Sequence, residues 1–487
     1  MYRLAKLPFL LLFLSFACQS SAPLTGLEKE IDTLENGLMG PLQIEGVAPE
    51  TFNIEDRMAH YKVPGVSIAV QKDGKLHWAK GYGTANAESG SQVDTETLFQ
   101  AGSISKPLAA LAVHKLVQDG LVDLDEDVNT YLKDWKVPES RFLSEKTVTL
   151  RRLLTHTAGM TVHGFPGYTQ TDTFPSLTSV LNGMGNTPAI YVDTFPEAMW
   201  RYSGGGYSVM EKVVEDVSGK SLEAYMKTEV LEPLGMPTSS YSQPLAETYH
   251  AKASAAYDRE GQLIEGLWHN YPERAAAGLW TTPTELVTYV GEMQQTLAGQ
   301  GGGLFNQETV EAMLTPHMNN WGLGPALNGS GDSLKFGHGG KNAGFTNQMM
   351  AYAHQGDGVI IMTNADNGGA LIREILLGIS AYYDWDFALP ETVKPITLSE
   401  EQLELFAGTY RFSEEVPDVD DYLVTVEVKG DQLAVEDLIQ GEKWTLTPLA
   451  EKEFLDLEKG DRAVFTEVEG GYEMNWNNRF IFLPHQP

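Results

Sequence analysis

Residues 99–110 read FQAGSISKPLAA and set Ser103 three positions ahead of Lys106, at the entry to an apolar, alanine-rich run. Residues three apart on a helix are surface neighbours, so the Lys106 amine is expected beside the Ser103 hydroxyl, within reach of its proton. A serine with a base beside it can attack a carbonyl carbon. In a first helical turn the same serine would also lie among unpaired backbone N–H groups, whose positive field favours an oxyanion. The tetrapeptide alone equally fits a plain helix start, with Ser103 capping and Lys106 solvated. The rest of the chain has to choose.

Downstream, Leu108, Leu111, Ala112 and Leu116 fall at helical spacing, and Gly120 supplies a stop. Upstream, residues 52–60 read as a helix, and strand-like runs 66–71 and 76–81 flank the turn pair Asp73-Gly74, which predicts a hairpin. Residues 124–236 read as mainly helical, notably at 151–155, 207–217 and 222–231. Within them, 160–202 is rich in Gly, Pro, Thr and aromatics and too long for a mere connection, which suits a wall or lid of a site. Thr282-Pro283 opens another helix. Strand signals return at 348–353 and 359–363, before an apolar helix at 370–383. Early and late strands with helices between them predict a sheet in which the two chain ends meet.

Residues 386–400 hold two prolines and little periodicity and read as a linker. Beyond it come short alternating runs at 408–412, 422–428, 444–447, 463–467 and 472–476, separated by glycine turns, the texture of a small all-β barrel.

At 487 residues and 42% hydrophobic, the chain can bury more than one core. Its formal charge of −32 disfavours nucleic acid and anionic membrane surfaces as partners. Residues 1–22 place Arg3 and Lys6 before the run LPFLLLFLSFA, the layout of an export signal, and that run is short for a bilayer span. Cys18, the one cysteine, follows Ala17 and resembles the lipidated cysteine of bacterial lipoproteins, although Ser15 stands where leucine is usual. Plain cleavage after Ala17 would leave it unmodified. No disulfide is available to the body of the chain.

Three further motifs follow in order: LLTHTAGM at 153–160, RYSGGGY at 201–207 and GHGGKNAGF at 337–345. Together with Ser103 and Lys106 they resemble the serine beta-lactamase and penicillin-binding-protein family, in its class C-like branch, over residues 52–383. The resemblance implies that Ser103 is acylated and that Lys106 and Tyr202 share the proton work. It implies that His338-Gly339-Gly340 lies on a strand facing them, and that the backbone N–H groups of Ser103 and Lys341 form an oxyanion hole. Glycines suit such a strand, because a substrate backbone can then lie alongside. Lys106 is expected to have its pKa lowered by burial and by like charge, and Tyr202 to be ionised beside it.

Two positions depart from the family pattern. Gly204 stands where an asparagine often contacts an acylamino group, and His338 replaces the lysine that meets a substrate carboxylate. Both shift the reading from antibiotic hydrolysis toward an esterase or peptidase. Taken singly, Tyr202 could be a satisfied core aromatic and His338 a strand-end histidine. His156 is assigned to ordering a loop through hydrogen bonds, and Trp200, Trp268, Trp280 and Tyr168 could line a pocket or fill a core. The sequence holds no Gly-x-Ser-x-Gly elbow, no His-Glu-x-x-His and no zinc-like ligand spacing, and the glycines at 301–303 lack the ending of a phosphate loop.

The expectation is therefore an α/β (α+β) beta-lactamase-like catalytic domain at 51–385, an antiparallel sheet flanked by helices plus an all-α lobe. Around it come the signal at 1–22, an N-terminal segment at 23–50, a linker at 386–400, and at 401–487 a β-barrel that resembles a lipocalin-like domain. The expected activity is ester or amide cleavage through a serine acyl-enzyme by an exported enzyme, periplasmic or tethered by a lipid on Cys18. It would act on a small ester, D-peptide or β-lactam-like substrate, with no cofactor, metal, nucleic acid or transmembrane span. The alternatives are a D,D-carboxypeptidase, D-aminopeptidase or class C-like beta-lactamase, and a non-catalytic wall- or lipid-binding lipoprotein.

Overall fold

The computed structural model describes residues 25–300, 303–414, 419 and 421–485. The signal segment, Cys18, Gly301 and Gly302 lie outside the described residues.

The predicted hairpin forms from β1 (Gly65–Lys72) and β2 (Lys75–Asn86). Asp73 and Gly74 both take positive φ, 51° and 74°, as a tight two-residue hairpin turn requires. After β3 (Ser91–Gln92) the chain runs through α1 (Ser105–Gln118), α2 (Gly204–Ser218) and α3 (Pro283–Leu297). It returns to the sheet as β4 (Ala326–Asn328), β5 (Lys335–Asn342), β6 (Phe345–Tyr352) and β7 (Gly358–Thr363), then closes with α4 (Gly368–Tyr383). The sheet order is β3-β2-β1-β7-β6-β5-β4, antiparallel throughout. β1 pairs with β7, so early and late chain meet in mid-sheet.

Alternation along β1 sends Val66, Ile68 and Val70 to one face, where they pack with Leu371, Ile375 and Ile379 of α4. Ala69 faces the opposite core, shared with Leu108 and Ala112 of α1 and with Val209 and Val213 of α2. Every residue from Leu108 to Val113 is fully buried. A helix apolar on all sides belongs inside, and this one holds the Ser103 end of its chain against rigid surroundings. The Thr282-Pro283 signal is realised: Thr282 accepts from Glu285 N, and Pro283 occupies the first turn.

The segment read as a linker is tied down. Glu391–Val393 pairs in parallel with Leu42–Ile44, and Ile396 N donates to Pro448 O at 2.9 Å. A three-residue strand is too short to show a period of two, which is why sequence pattern missed it. The helix α5 (Glu400–Glu404) follows, with a capping box between Ser399 and Gln402.

Eight antiparallel strands then close a barrel: β8 (Gly408–Phe412), β9 (Leu423–Lys429), β10 (Gln432–Asp437), β11 (Lys443–Ala450), β12 (Glu453–Asp456), β13 (Arg462–Val468), β14 (Gly471–Trp476) and β15 (Phe480–His485). The sequence reading covered five of these and missed β10, β12 and β15. Those three carry acidic or proline-bearing sequences, and they are strands because a closed ring leaves no edge unpaired. Among the described residues, no helix is long and apolar enough to cross a membrane.

Candidate active site

Ser103 sits in a 3-10 turn, Gly102–Ile104, that runs directly into α1. One helical step places Lys106 Nζ 3.1 Å from Ser103 Oγ, and the same amine donates to the Ala276 carbonyl at 2.8 Å. Lys106 is 2% exposed. Burial without a carboxylate partner pulls its pKa down to about 7, because a low-dielectric site penalises the ammonium. The expected contribution from like charge is absent; desolvation alone produces the shift.

Tyr202 lies at the mouth of α2, its ring 4.9 Å from Lys106 Nζ. Burial raises the pKa of its phenol well above the ordinary value, and only the Ser103 hydroxyl offsets this in part. The phenol is therefore protonated at neutral pH, which corrects the expectation of an ionised Tyr202. Stabilising a phenolate would need a close cation, and Lys106 has the lower pKa of the two. His156 lies beneath Tyr202 with ring centroids 4.3 Å apart, and its Nδ1 accepts from Ser203 N at 3.1 Å. This is the loop-ordering role read for it.

β5 runs past the Ser103 turn. Its outer partner β4 pairs only with Lys335, Phe336 and Gly337, so from His338 to Asn342 that edge carries no strand. A Cβ on Gly102 would lie 2.5 Å from Lys341 N, and one on Gly340 would lie 2.0 Å from Ala101 O. Only two glycines let these backbones approach so closely, bringing Lys341 N beside the Ser103 turn. The Lys341 side chain turns away to an ion pair with Asp366. Asn342 Nδ2 bridges Gln100 Oε1 at 2.8 Å and Ala277 O at 3.0 Å, and Asn347 Nδ2 donates to Gln100 O at 2.8 Å. These bonds tie β5, the Ser103 turn and the lysine-binding turn 274–277 together.

His338 is 6% exposed; its Nδ1 bonds to Gly339 O at 2.5 Å, and Nε2 has no partner. Burial, then the Lys106 charge, lowers its pKa to about 3, so the ring is neutral with Nδ1–H donating and Nε2 as an open acceptor. Gly204 is covered. Phe165 Cε2 would stand 2.9 Å from a Cβ there, and Gly204 N donates to His163 O at 2.9 Å. The 160–202 insertion thus packs against the position where the family pattern led to the expectation of an asparagine.

Of the aromatic candidates, Trp280 and Trp268 are core, and Tyr168 is buried within the insertion, where its hydroxyl accepts from Asn186 N at 2.8 Å. Trp200 joins Tyr202 and His156 in a cluster completed by Trp321. Trp321 and the Ala276 carbonyl were missed because they lie far from any motif, whereas Phe165 falls within the 160–202 stretch read as a site wall but was not singled out there. Gln100 and Asn342 were within reach, each lying inside a quoted motif.

The family model described as Beta-lactamase matches residues 53–378. The chain belongs to the beta-lactamase family. Among curated relatives, Protein flp of Staphylococcus aureus (strain N315) is 24% identical over 322 residues, 64% of this chain and 62% of its own length. The Putative penicillin-binding protein PbpX of Bacillus subtilis (strain 168) is 27% identical over 265 residues, 52% of this chain and 60% of its own. The chain thus spans about three fifths of the length of these relatives. Among solved structures, the octameric penicillin-binding protein homologue from Pyrococcus abyssi superposes with a TM-score of 0.60 at 23% identity, covering 88% of this chain and 98% of that one. SurE with D-Leu gives 0.55 at 22%, covering 88% and 97%. At these identities the likeness is one of fold, and it extends past the region matched by the family model into the barrel.

The two glycines of the triplet give a test of how closely β5 must approach. Gly340→Ala is expected to lower kcat/KM at least about 100-fold, since a displacement near 1 Å at a site costs that much. Gly339→Ala, exposed and with its nearest neighbour at 3.5 Å, is expected to stay within a few-fold. Equal losses in the two variants, measured on an activated ester, would refute the approach argument.

Proposed function

We propose that this beta-lactamase family chain is a serine hydrolase that cleaves esters or amides with uncharged flanks through an acyl-enzyme on Ser103. The observation that carries the reading is the buried Lys106 amine, 3.1 Å from Ser103 Oγ with a pKa of about 7. The neutral amine takes the Ser103 proton as Oγ attacks the carbonyl carbon. The oxyanion meets the backbone N–H groups of Ser103 and Lys341. The carbonyl re-forms as the bond to the leaving group breaks, and that group takes a proton from Lys106 or through the protonated Tyr202. Water then attacks the acyl-enzyme, gives its proton to the same relay and releases the acid.

The choice of an ester or neutral peptide over a β-lactam or a C-terminal D-alanine peptide rests on His338. A neutral ring with a free acceptor nitrogen offers no charge to a carboxylate, and Arg201 is engaged by the Gly159 and Met160 carbonyls at 2.7 and 2.9 Å. A second reading, action on D-amino-acid peptides or their esters, is favoured by a structural neighbour solved with D-Leu. The signal-like residues 1–22 support export, with Cys18 as a lipid anchor if it is processed as a lipoprotein cysteine.

Intact-protein mass spectrometry after exposure to a fluorophosphonate and, separately, to a penicillin tests the proposal on wild type and Ser103→Ala. A phosphonyl adduct confined to wild type, without a persisting penicilloyl adduct, is the expected result. A persisting penicilloyl adduct would instead favour cell-wall peptides. No adduct from either probe on folded protein would leave the non-catalytic reading ahead.

A further inference from the structure

The two ends of the β8–β15 barrel differ. At one end Phe406, just after α5, enters the interior and packs on Phe465, Tyr472 and Phe454 at ring distances of 4.6, 4.9 and 5.3 Å. At the other end the interior is empty over about 310 Å³, walled by Phe412, Trp444, Met474, Trp476, Phe480 and Phe482. Side chains fill an eight-stranded barrel or leave room for one small ligand, and this volume is at the low end of the range for ligand pockets, about 300–1,000 Å³.

The charged groups lining this mouth have one sign. Asp437, Gln440 and Glu442 line it, and among the described residues no lysine or arginine does. Asp437 is 5% exposed and fixed in place: its Oδ1 accepts from Ile439 N and Gln440 N at 2.8 Å each, and its Oδ2 from the Tyr422 hydroxyl. Two cations stand nearby, each already on an aromatic ring: Lys459 4.5 Å over Trp444 and Arg479 4.8 Å over Phe480. Residues 401–487 carry 20 acidic against 7 basic side chains. Aromatic faces attract cations, more strongly where water is partly excluded. An apolar cup with one fixed carboxylate, Asp437, and an exposed one, Glu442, suits a ligand that is greasy at one end and positive at the other.

We propose that the barrel mouth is a binding site for an organic ammonium ion with an apolar chain. The chain enters the cup, and the ammonium stays at its mouth beside the Trp444 and Trp476 rings and the Asp437 and Glu442 carboxylates. The site is separate from Ser103 and does not depend on catalysis there.

Titration calorimetry on the full chain tests this with dodecyltrimethylammonium, dodecyl sulfate and uncharged dodecyl maltoside, each below its micelle concentration. The expected result is one saturable site that takes the ammonium at least tenfold more tightly than the other two and weakens as salt is added. Glu442→Gln should weaken it several-fold, Trp476→Leu about tenfold or more, and Ser103→Ala not at all. Phe480→Ser, at a rim position already 37% exposed, is a second aromatic variant should Trp476→Leu not fold. No saturable site, equal affinity for the sulfate, or binding indifferent to both folded aromatic variants would overturn the proposal.

Discussion

Ser103→Ala is expected to reduce kcat/KM toward an activated ester by about 10⁴- to 10⁶-fold, the range seen when a hydrolase loses its nucleophile. The loss should appear almost wholly in kcat, because Oγ makes a bond in the transition state that substrate binding does not supply. The fold should hold. The hydroxyl's polar contacts are with Lys106 Nζ and the Tyr202 phenol, and Nζ keeps the Ala276 carbonyl at 2.8 Å when Oγ is gone. A melting temperature within a few degrees of wild type, beside the lost rate, would separate chemistry from stability. Residual activity within tenfold of wild type, on enzyme cleared of contaminating esterase, would remove Ser103 from the role of nucleophile.

The second large effect concerns the proton. Lys106 must be neutral to act as a base, and its pKa is about 7. Below that value the ammonium form dominates and cannot accept the Ser103 proton. Activity should therefore rise with pH through an acid limb near 7 and level off above it. Lys106→Arg keeps a positive charge at every working pH, so it should lose about 10²- to 10⁴-fold, the usual contribution of a general base, and the limb with it. His338, at about 3, titrates far below this window. Glu273 does not: burial raises its carboxyl to about 8, and it heads the turn whose Ala276 carbonyl holds Lys106. Glu273→Gln distinguishes the two. If the limb near 7 survives that substitution it belongs to Lys106, and if it disappears Glu273 controls the profile. Activity that falls between pH 6 and 8 would exclude the free amine as base.

Much of the fold was legible because its signals are local. The Asp73-Gly74 hairpin, the Thr282-Pro283 helix start and the apolar α1 each depend on residues that are neighbours in the chain. The order of the four motifs carried the family, since a shared order of spaced motifs is hard to produce by chance. The short strand Glu391–Val393 and the barrel strands β10, β12 and β15 were not legible. Each is a strand because a distant partner completes it, and a few residues cannot display that by periodicity.

The same division runs through the site. Sequence alone determined that Ser103 and Lys106 stand one helical turn apart, because helix geometry converts a spacing of three into contact. It also determined that Gly339 and Gly340 carry no Cβ, while only the fold showed that Gly340 and Gly102 use that room to bring the Ala101–Ser103 turn against β5. Only the tertiary structure decided the protonation states. The Lys106 amine is neutralisable near 7, the Tyr202 phenol holds its proton and His338 is uncharged, and all three follow from burial by side chains tens to hundreds of positions away. Proton affinity depends on the dielectric and the charges around a group, and those are set by which parts of the chain are folded against it.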